Sequence, residues 1–339
     1  MKKFINNPDD IISEMIGGFI GAFGEHYYKL PDYNGIIYKN KKDKVSVVTG
    51  GGSCGEPWCI GACGEGMADG VAVGNVAAAP AATIISAVCN EVFNEKGILL
   101  IVANHMGDYL NFELGRELFA LENDAPCELV LVTDDITTAP KTERKKRRAL
   151  TGMPIVTCLA SATANAELPL SEVRRIAEKT NESLSTVSAI LDMGINPASG
   201  YKMGEIPAGE CHIGTGISGE PGNFVMKPGG EKEVTEKLID MLSDDLDLNE
   251  KYEIALFING MGNISVMEEL VICNTALSRL KSLGINVYDV DLTEKVKVQE
   301  TKGVAISILK LDDELKKYYG ERVHTPLINK NQRFLWTII

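Results

Sequence analysis

Three short segments combine glycine with side chains able to move a proton. The first, TGGGSCGEP at 49–57, places Gly50, Gly51 and Gly52 directly after a β-branched run. Glycines in that position let backbone N–H groups approach a ligand closely. The same composition also serves as a tight strand-to-helix connection with no ligand. No G-x-x-x-x-G-K-[ST] pattern occurs, so this is not a nucleotide P-loop. The second segment, Asn104-His105-Met106-Gly107-Asp108, follows the apolar run ILLIVA at 98–103. Ligands of open α/β sheets collect at the carboxyl ends of strands, which makes Asp108 a candidate general base. An N-cap role for the helix that follows would explain Asp108 equally well, and the two roles are compatible. His105 reads as a surface or packing residue. The third segment, GTGISGEPG at 214–222, carries an acid at Glu220; His212 lies nearby at an offset that gives no reason to make it a nucleophile. The first and third segments share the form G-x-x-G-E-P, at 52–57 and 216–221, which points to a shared site.

Those segments need strands and helices to hold them. Residues 9–23 have apolar side chains at Ile11, Ile12, Met15, Ile16, Phe19 and Ile20, a helical spacing, with Pro8 suited to a helix start. Strands are expected at 44–49, 98–103 and 127–132, and helices at 82–93 and 108–120. This is a strand–loop–helix series with a parallel sheet. A polar helical stretch at 171–191 follows. The alternation then resumes, with helices at 231–246, 266–283 and 312–319 and strands at 252–258, 285–290 and 303–311. The expected architecture is α/β, with two α/β domains each on a central, mostly parallel sheet. The boundary falls near residue 190, giving units 1–190 and 191–339.

Composition narrows the function. The 339 residues suffice for two buried cores, and 45% hydrophobic with 24% charged residues is an ordinary globular profile. A formal net charge of −13 argues against nucleic acid and anionic membranes as partners, since both are bound largely through Lys and Arg. The one basic run, KTERKKRR at 141–148, is expected to be a solvated helix face. No apolar run is long enough to span a membrane, and the first residues lack a secretory apolar region, so a cytoplasmic location is expected. Eight cysteines in such a chain read as reduced thiols. Cys54, Cys59 and Cys63 cluster, but their spacing matches no zinc signature, so no metal site is expected. Cys59 and Cys63 would share one face if a helix follows Pro57.

Taken together, the three segments resemble the substrate-binding K subunit of dihydroxyacetone kinase. That family's first loop reads GGGSGHEP, against GGGSCGEP at 50–57. Its second reads KNYTGD-x-LNF, against ANHMGDYLNF at 103–112. Its third reads GxGIHGEPG, against GTGISGEPG at 214–222. KKFINNPDDIISEM near the start, NGMG at 259–262, and ILKLDDEL and VHTPLIN near the end extend the match from Lys2 to about Lys330. The resemblance implies two α/β domains, a homodimer, and a short ketose held between the glycine loops. In the family a third-loop histidine captures the carbonyl as a hemiaminal. A first-loop histidine and the second-loop aspartate handle the proton of the attacking hydroxyl. The phosphoryl donor sits on a separate nucleotide-carrying subunit or arrives by a phosphotransferase relay.

This chain departs from that pattern at the reactive positions. Ser218 stands at the covalent histidine, Gly55 at the first-loop histidine with Cys54 before it in place of glycine, and Ala103 at the second-loop lysine. The resemblance therefore leaves Asp108 as the catalytic candidate, with Gly51, Gly52, Ser53, Cys54, Gly55 and Ser218 as substrate-binding candidates. A serine hydroxyl with no evident base is a poor substitute for imidazole, so carbonyl capture is expected to be lost. Two functions are expected. One is a kinase-like subunit acting on a triose, tetrose or polyol, with ATP and Mg²⁺ on an L-type partner and no cofactor on this chain. The other is an inactive, ligand-binding paralog that works as a co-regulator or scaffold.

Overall fold

The structure, a computed structural model, describes residues 3–330. The outer ends of both expected units, 1–2 and 331–339, lie outside the described residues. Two six-stranded sheets organise the chain. The first contains β1 (Tyr27–Lys29), β2 (Gly35–Tyr38), β3 (Ser46–Ser53), β4 (Gly70–Val76), β5 (Ile98–Ala103) and β6 (Cys127–Val132), in the order β1-β2-β4-β3-β5-β6. β4, β3, β5 and β6 run parallel. β5 is buried at every residue because both its faces are covered, which is why it is a continuous apolar run instead of an alternating one. Val48, Leu100 and Val102 face α2 (Ala82–Val92) and α3 (Met106–Asn123), beyond α1 (Ile11–Phe23) in the chain. Val47, Leu99 and Ile101 face α4 (Met153–Asn165) on the opposite side.

The 171–191 stretch divides. Its first part is α5 (Leu170–Glu182), and its second is the strand β7 (Leu184–Asp192), which belongs to the second sheet. That sheet therefore starts at Leu184, inside the segment expected to close the first unit. The helix pattern of 171–182 is genuine, but LSTVSAI at 184–190 is buried at each position and has no period to separate it from a helix. Joining β7 are β8 (Cys211–Ile213), β9 (Phe224–Met226), β10 (Glu253–Gly260), β11 (Asn286–Thr293) and β12 (Lys302–Leu311), in the order β11-β10-β12-β7-β8-β9. In this sheet only β10 and β11, linked through a helix, run parallel; the other neighbours are antiparallel. The mostly parallel character expected of both sheets thus holds in the first, from β4 through the edge strand β6. In the second, β8 and β9 follow β7 through loops with no crossover helix, so they turn back.

α6 (Glu231–Asp245) and α7 (Val266–Ser282) cover one face of the second sheet. Its other face, through Ala255, Phe257, Leu309 and Leu311, shares a core with α4 and α8 (Asp313–Tyr319). α4 is buried from Met153 to Ala164 and lies between the two sheets. A helix buried all round, with Thr157, Ser161 and Thr163 inside as well as its apolar residues, has no amphipathic stripe, so the sequence patterning does not mark it.

The basic run is a correction of a different kind. Lys141–Lys146 is a short 3-10 segment, and the two arginines after it point inward. Arg147 is fully buried, with its guanidinium paired bidentately to Asp245 at 2.9 and 2.6 Å and its Nε donating to the Ala139 carbonyl at 2.8 Å. Arg148 pairs with the buried Asp135 at 2.7 Å and donates to the carbonyl of Gly214. A solvated face describes Lys141, Thr142, Glu143, Lys145 and Lys146; Arg147 and Arg148 tie the first half of the chain to α6 and to the third glycine segment. Among the described residues no helix is long and apolar enough to cross a membrane.

Candidate functional site

β3 does not stop at Thr49. It continues through Ser53, with Gly50, Gly51 and Ser53 still paired to β4. Gly51 has φ 151°, and a Cβ there would lie 3.8 Å from Asp108 Oδ1, inside the space between the loops. Below the loop, the Cys59 thiol is buried and donates to the Gly51 carbonyl at 3.6 Å. Cys63 donates to the Ile36 carbonyl at 3.6 Å. The segment after Pro57 forms only a 3-10 turn, Ile60–Ala62, and not the helix that would set Cys59 and Cys63 on one face. Both thiols are core hydrogen-bond donors, pushed far up by burial.

The G-x-x-G-E-P echo is a repeated local device. Glu56 accepts from the N–H of Cys54 at 2.9 and 3.1 Å, and Glu220 accepts from the N–H of Ser218 at 2.9 Å. Each glutamate thereby clamps the backbone two residues before it and shapes its own loop. Cys54 is held at φ 101°, where a Cβ is strained and glycine is not. Burial, then the neighbouring Glu56, pushes its thiol up to about 12, so it is no thiolate nucleophile at neutral pH. Cys54→Gly is expected to stabilise the protein by about 1 kcal/mol, the relief of strain exceeding the added unfolded-state entropy. Urea denaturation measures this, and an unchanged or lower midpoint would show the loop to be unstrained.

All three segments meet at one cavity of about 230 Å³. Gly51, Gly52, Ser53, Cys54 and Gly55 line it from the first, Asp108 from the second and Ser218 from the third. Asp108 lies in the first turn of α3, while His105 holds the N-cap position. The aspartate is therefore not the cap. It is buried, and its Oδ1 has no hydrogen-bond partner. Burial raises its carboxyl from 3.8 to about 6, with His105 acting against that rise. Ser218 is exposed, and no base is hydrogen-bonded to its hydroxyl among the described residues. His212 sits on β8, 3.5 Å from Glu210, and does not line the cavity.

His105, read from the sequence as a surface or packing residue, lines the cavity, and sequence reasoning does not reach two further lining residues, Met203 and Val296. The i,i+3 spacing of His105 and Asp108 at a helix start is a signal that could have placed His105 beside the acid. Met203 and Val296 come from distant loops and carry no local mark. Among the described residues no lysine or arginine lines the cavity.

Comparison with known proteins identifies the family and the fold. The Dak1 domain model matches residues 17–327. The dihydroxyacetone-binding subunit DhaK of a PTS-dependent dihydroxyacetone kinase from Listeria innocua is 30% identical over 329 residues, which cover 96% of this chain and 98% of that one. D-erythrulose kinase from Mycolicibacterium smegmatis is 31% identical, covering 97% of this chain but 57% of the larger enzyme. Dihydroxyacetone kinase of C. freundii superposes with a TM-score of 0.87 at 26% identity, covering all of this chain and 62% of that one. The chain thus spans somewhat over half of those two longer kinases and nearly the whole of the separate subunit. With its two-sheet α/β fold and its three glycine segments gathered on one cavity, the chain belongs to the Dak1 domain family of dihydroxyacetone kinase substrate-binding subunits.

Proposed function

We propose that the chain is the substrate-binding subunit of a dihydroxyacetone-kinase-like phosphotransferase whose substrate is held without a covalent bond. One observation carries this: a buried carboxylate, Asp108, keeps one oxygen without a partner in a cavity lined by all three loops. With its carboxyl raised to about 6, Asp108 is ionised at neutral pH yet basic enough to take a hydroxyl proton. The hydroxyl oxygen then attacks a phosphoryl group presented by an L-type nucleotide-carrying partner with its Mg²⁺. Ser218 stands where the family's carbonyl-capturing histidine would be, so no ketone is required.

The cavity favours neutral ligands. An anion entering it would lose water without meeting a cation. Trioses, tetroses and their polyols fit its small volume and its hydrogen-bonding backbone; the corresponding sugar acids do not. In solution the chain is expected to form a homodimer.

The test combines purified protein, an L-type subunit, ATP and Mg²⁺, and follows ADP release across trioses, tetroses, polyols and acids. Turnover of a neutral member, lost in Asp108→Asn, supports the reading; turnover of an acid would overturn the ligand class. The second reading is a non-catalytic, ligand-binding co-regulator or scaffold. It is favoured by the absence of any base on Ser218. Silence across the panel, with a neutral ligand still raising thermal stability, would establish it.

A further inference from the structure

His105 holds the N-cap position of α3, yet its ring makes no cap bond. Its Nε2 lies 3.0 Å from the carbonyl oxygen of Ala149. A carbonyl only accepts, so Nε2 carries the hydrogen and the neutral ring leaves its lone pair on Nδ1. That Nδ1 is 3.9 Å from Asp108 Oδ2, one helical turn along the same cavity wall. Hydrogen bonds of catalytic groups are often this long before ligand binds and tighten afterwards. The other oxygen, Oδ1, faces Gly51 without a partner. Asp108 thus has one oxygen directed at an imidazole lone pair and one available to a ligand.

Few other groups compete for that role. Cys59, facing Asp108 from below the first loop, is a thiol held protonated by burial. Cys54, on the first loop, is held the same way at about 12. Glu220, on the third loop, is engaged by the Ser218 N–H.

We infer that His105 is the proton relay of this site. The inference rests on Asp108 acting as the base described above. A ligand O–H bond breaks as its proton moves to Asp108. The proton then passes to Nδ1 of His105, an N–H bond forms there, and Asp108 regains its charge. The imidazolium is held at both nitrogens, Nδ1–H by Asp108 Oδ2 and Nε2–H by the Ala149 carbonyl. The His105 side chain is 18% exposed, enough to release the proton to solvent afterwards. His105 acts through Asp108 and is a positioning and relay residue, not one that needs to touch the ligand. It supplies a second proton-handling group in a chain that has Gly55 where its family carries a histidine.

His105→Gln tests this, because glutamine keeps an N–H for Ala149 and removes the titrating ring. With an L-type subunit and a neutral substrate, kcat is expected to fall about 10²-fold with KM unchanged. The acid limb of the kcat/KM profile should move to higher pH, since His105 holds the Asp108 carboxyl down. Carbon NMR of Asp108 in the full chain reads the same coupling without turnover: its titration near pH 6 should rise in His105→Gln. Nitrogen NMR at pH 8 should find the hydrogen of the His105 ring on Nε2. A hydrogen on Nδ1, or an Asp108 titration unmoved by His105→Gln, overturns the relay. Turnover lost in Asp108→Asn but intact in His105→Gln overturns the relay and leaves the base assignment standing. Absence of turnover in the unmodified protein, with the NMR coupling present, overturns the phosphotransferase reading and leaves the His105–Asp108 pair standing.

Discussion

Asp108→Asn is expected to lower turnover by about 10²–10⁴-fold while making the protein more stable at pH 7.5. Both effects follow from one placement. The carboxyl is buried with an oxygen that no protein group satisfies, so the fold disfavours its charge. Its titration rises from the ordinary 3.8 to about 6. A raised folded value means that the native state binds the proton more tightly than the unfolded chain. The associated stability is fully present below about pH 4 and is lost as pH rises through 6. The interval from 3.8 to about 6 corresponds to about 3 kcal/mol. Asparagine carries no charge at any pH, so the variant's advantage should be absent at pH 4, grow through pH 5–6, and level off above 7. Thermal melts of both proteins across that range measure it. A difference in Tm that does not vary with pH would mean that Asp108 is not held at a cost, and the general-base argument would lose its physical basis.

Arg147→Met is expected to destabilise the fold by about 3 kcal/mol, since breaking a buried pair leaves Asp245 with only the longer 3.6 Å ion pair to Arg144. Asp245 receives both guanidinium nitrogens of Arg147 and also the hydroxyl of Ser185 at 2.7 Å. Methionine matches much of the arginine stem but none of its donors, so Asp245 loses its two bonds from Arg147 and the Ala139 carbonyl loses the one from Nε. The neighbouring Arg148 holds the Gly214 carbonyl at the start of the third segment. Loosening this segment should therefore also weaken ligand binding. Equilibrium urea unfolding measures the first effect, and ligand-induced thermal shift the second. A loss below about 1 kcal/mol would class the pair with exposed ion pairs and contradict its burial.

Much of the site is legible as sequence because backbone constraints are local. The glycines of 50–52 and 214–222, the repeated G-x-x-G-E-P and the acid after ILLIVA each mark a loop by residues that few other conformations require. Strand β5 matches its expected span because a run of apolar, mostly branched residues closed by polar ones has few alternatives. The departures at Gly55, Ala103 and Ser218 are likewise legible from the sequence, and Ser218 in place of the covalent histidine is what makes loss of carbonyl capture the expectation.

What the sequence alone does not determine is set by burial and by distance across the fold. β7 from Leu184 to Ile190 and α4 from Met153 to Ala164 are buried at every residue, so neither carries the alternation or stripe that identifies an element. The KTERKKRR run is charged and reads as solvated; only the placement of Asp135 and Asp245 turns Arg147 and Arg148 inward. His105 meets the Ala149 carbonyl, 44 residues away, only because the fold brings the two together. Asp108 has the same identity at an N-cap or in a cavity. Its raised titration comes from the desolvation that packing β3, α3 and the loops together imposes, and such a free energy belongs to the tertiary structure.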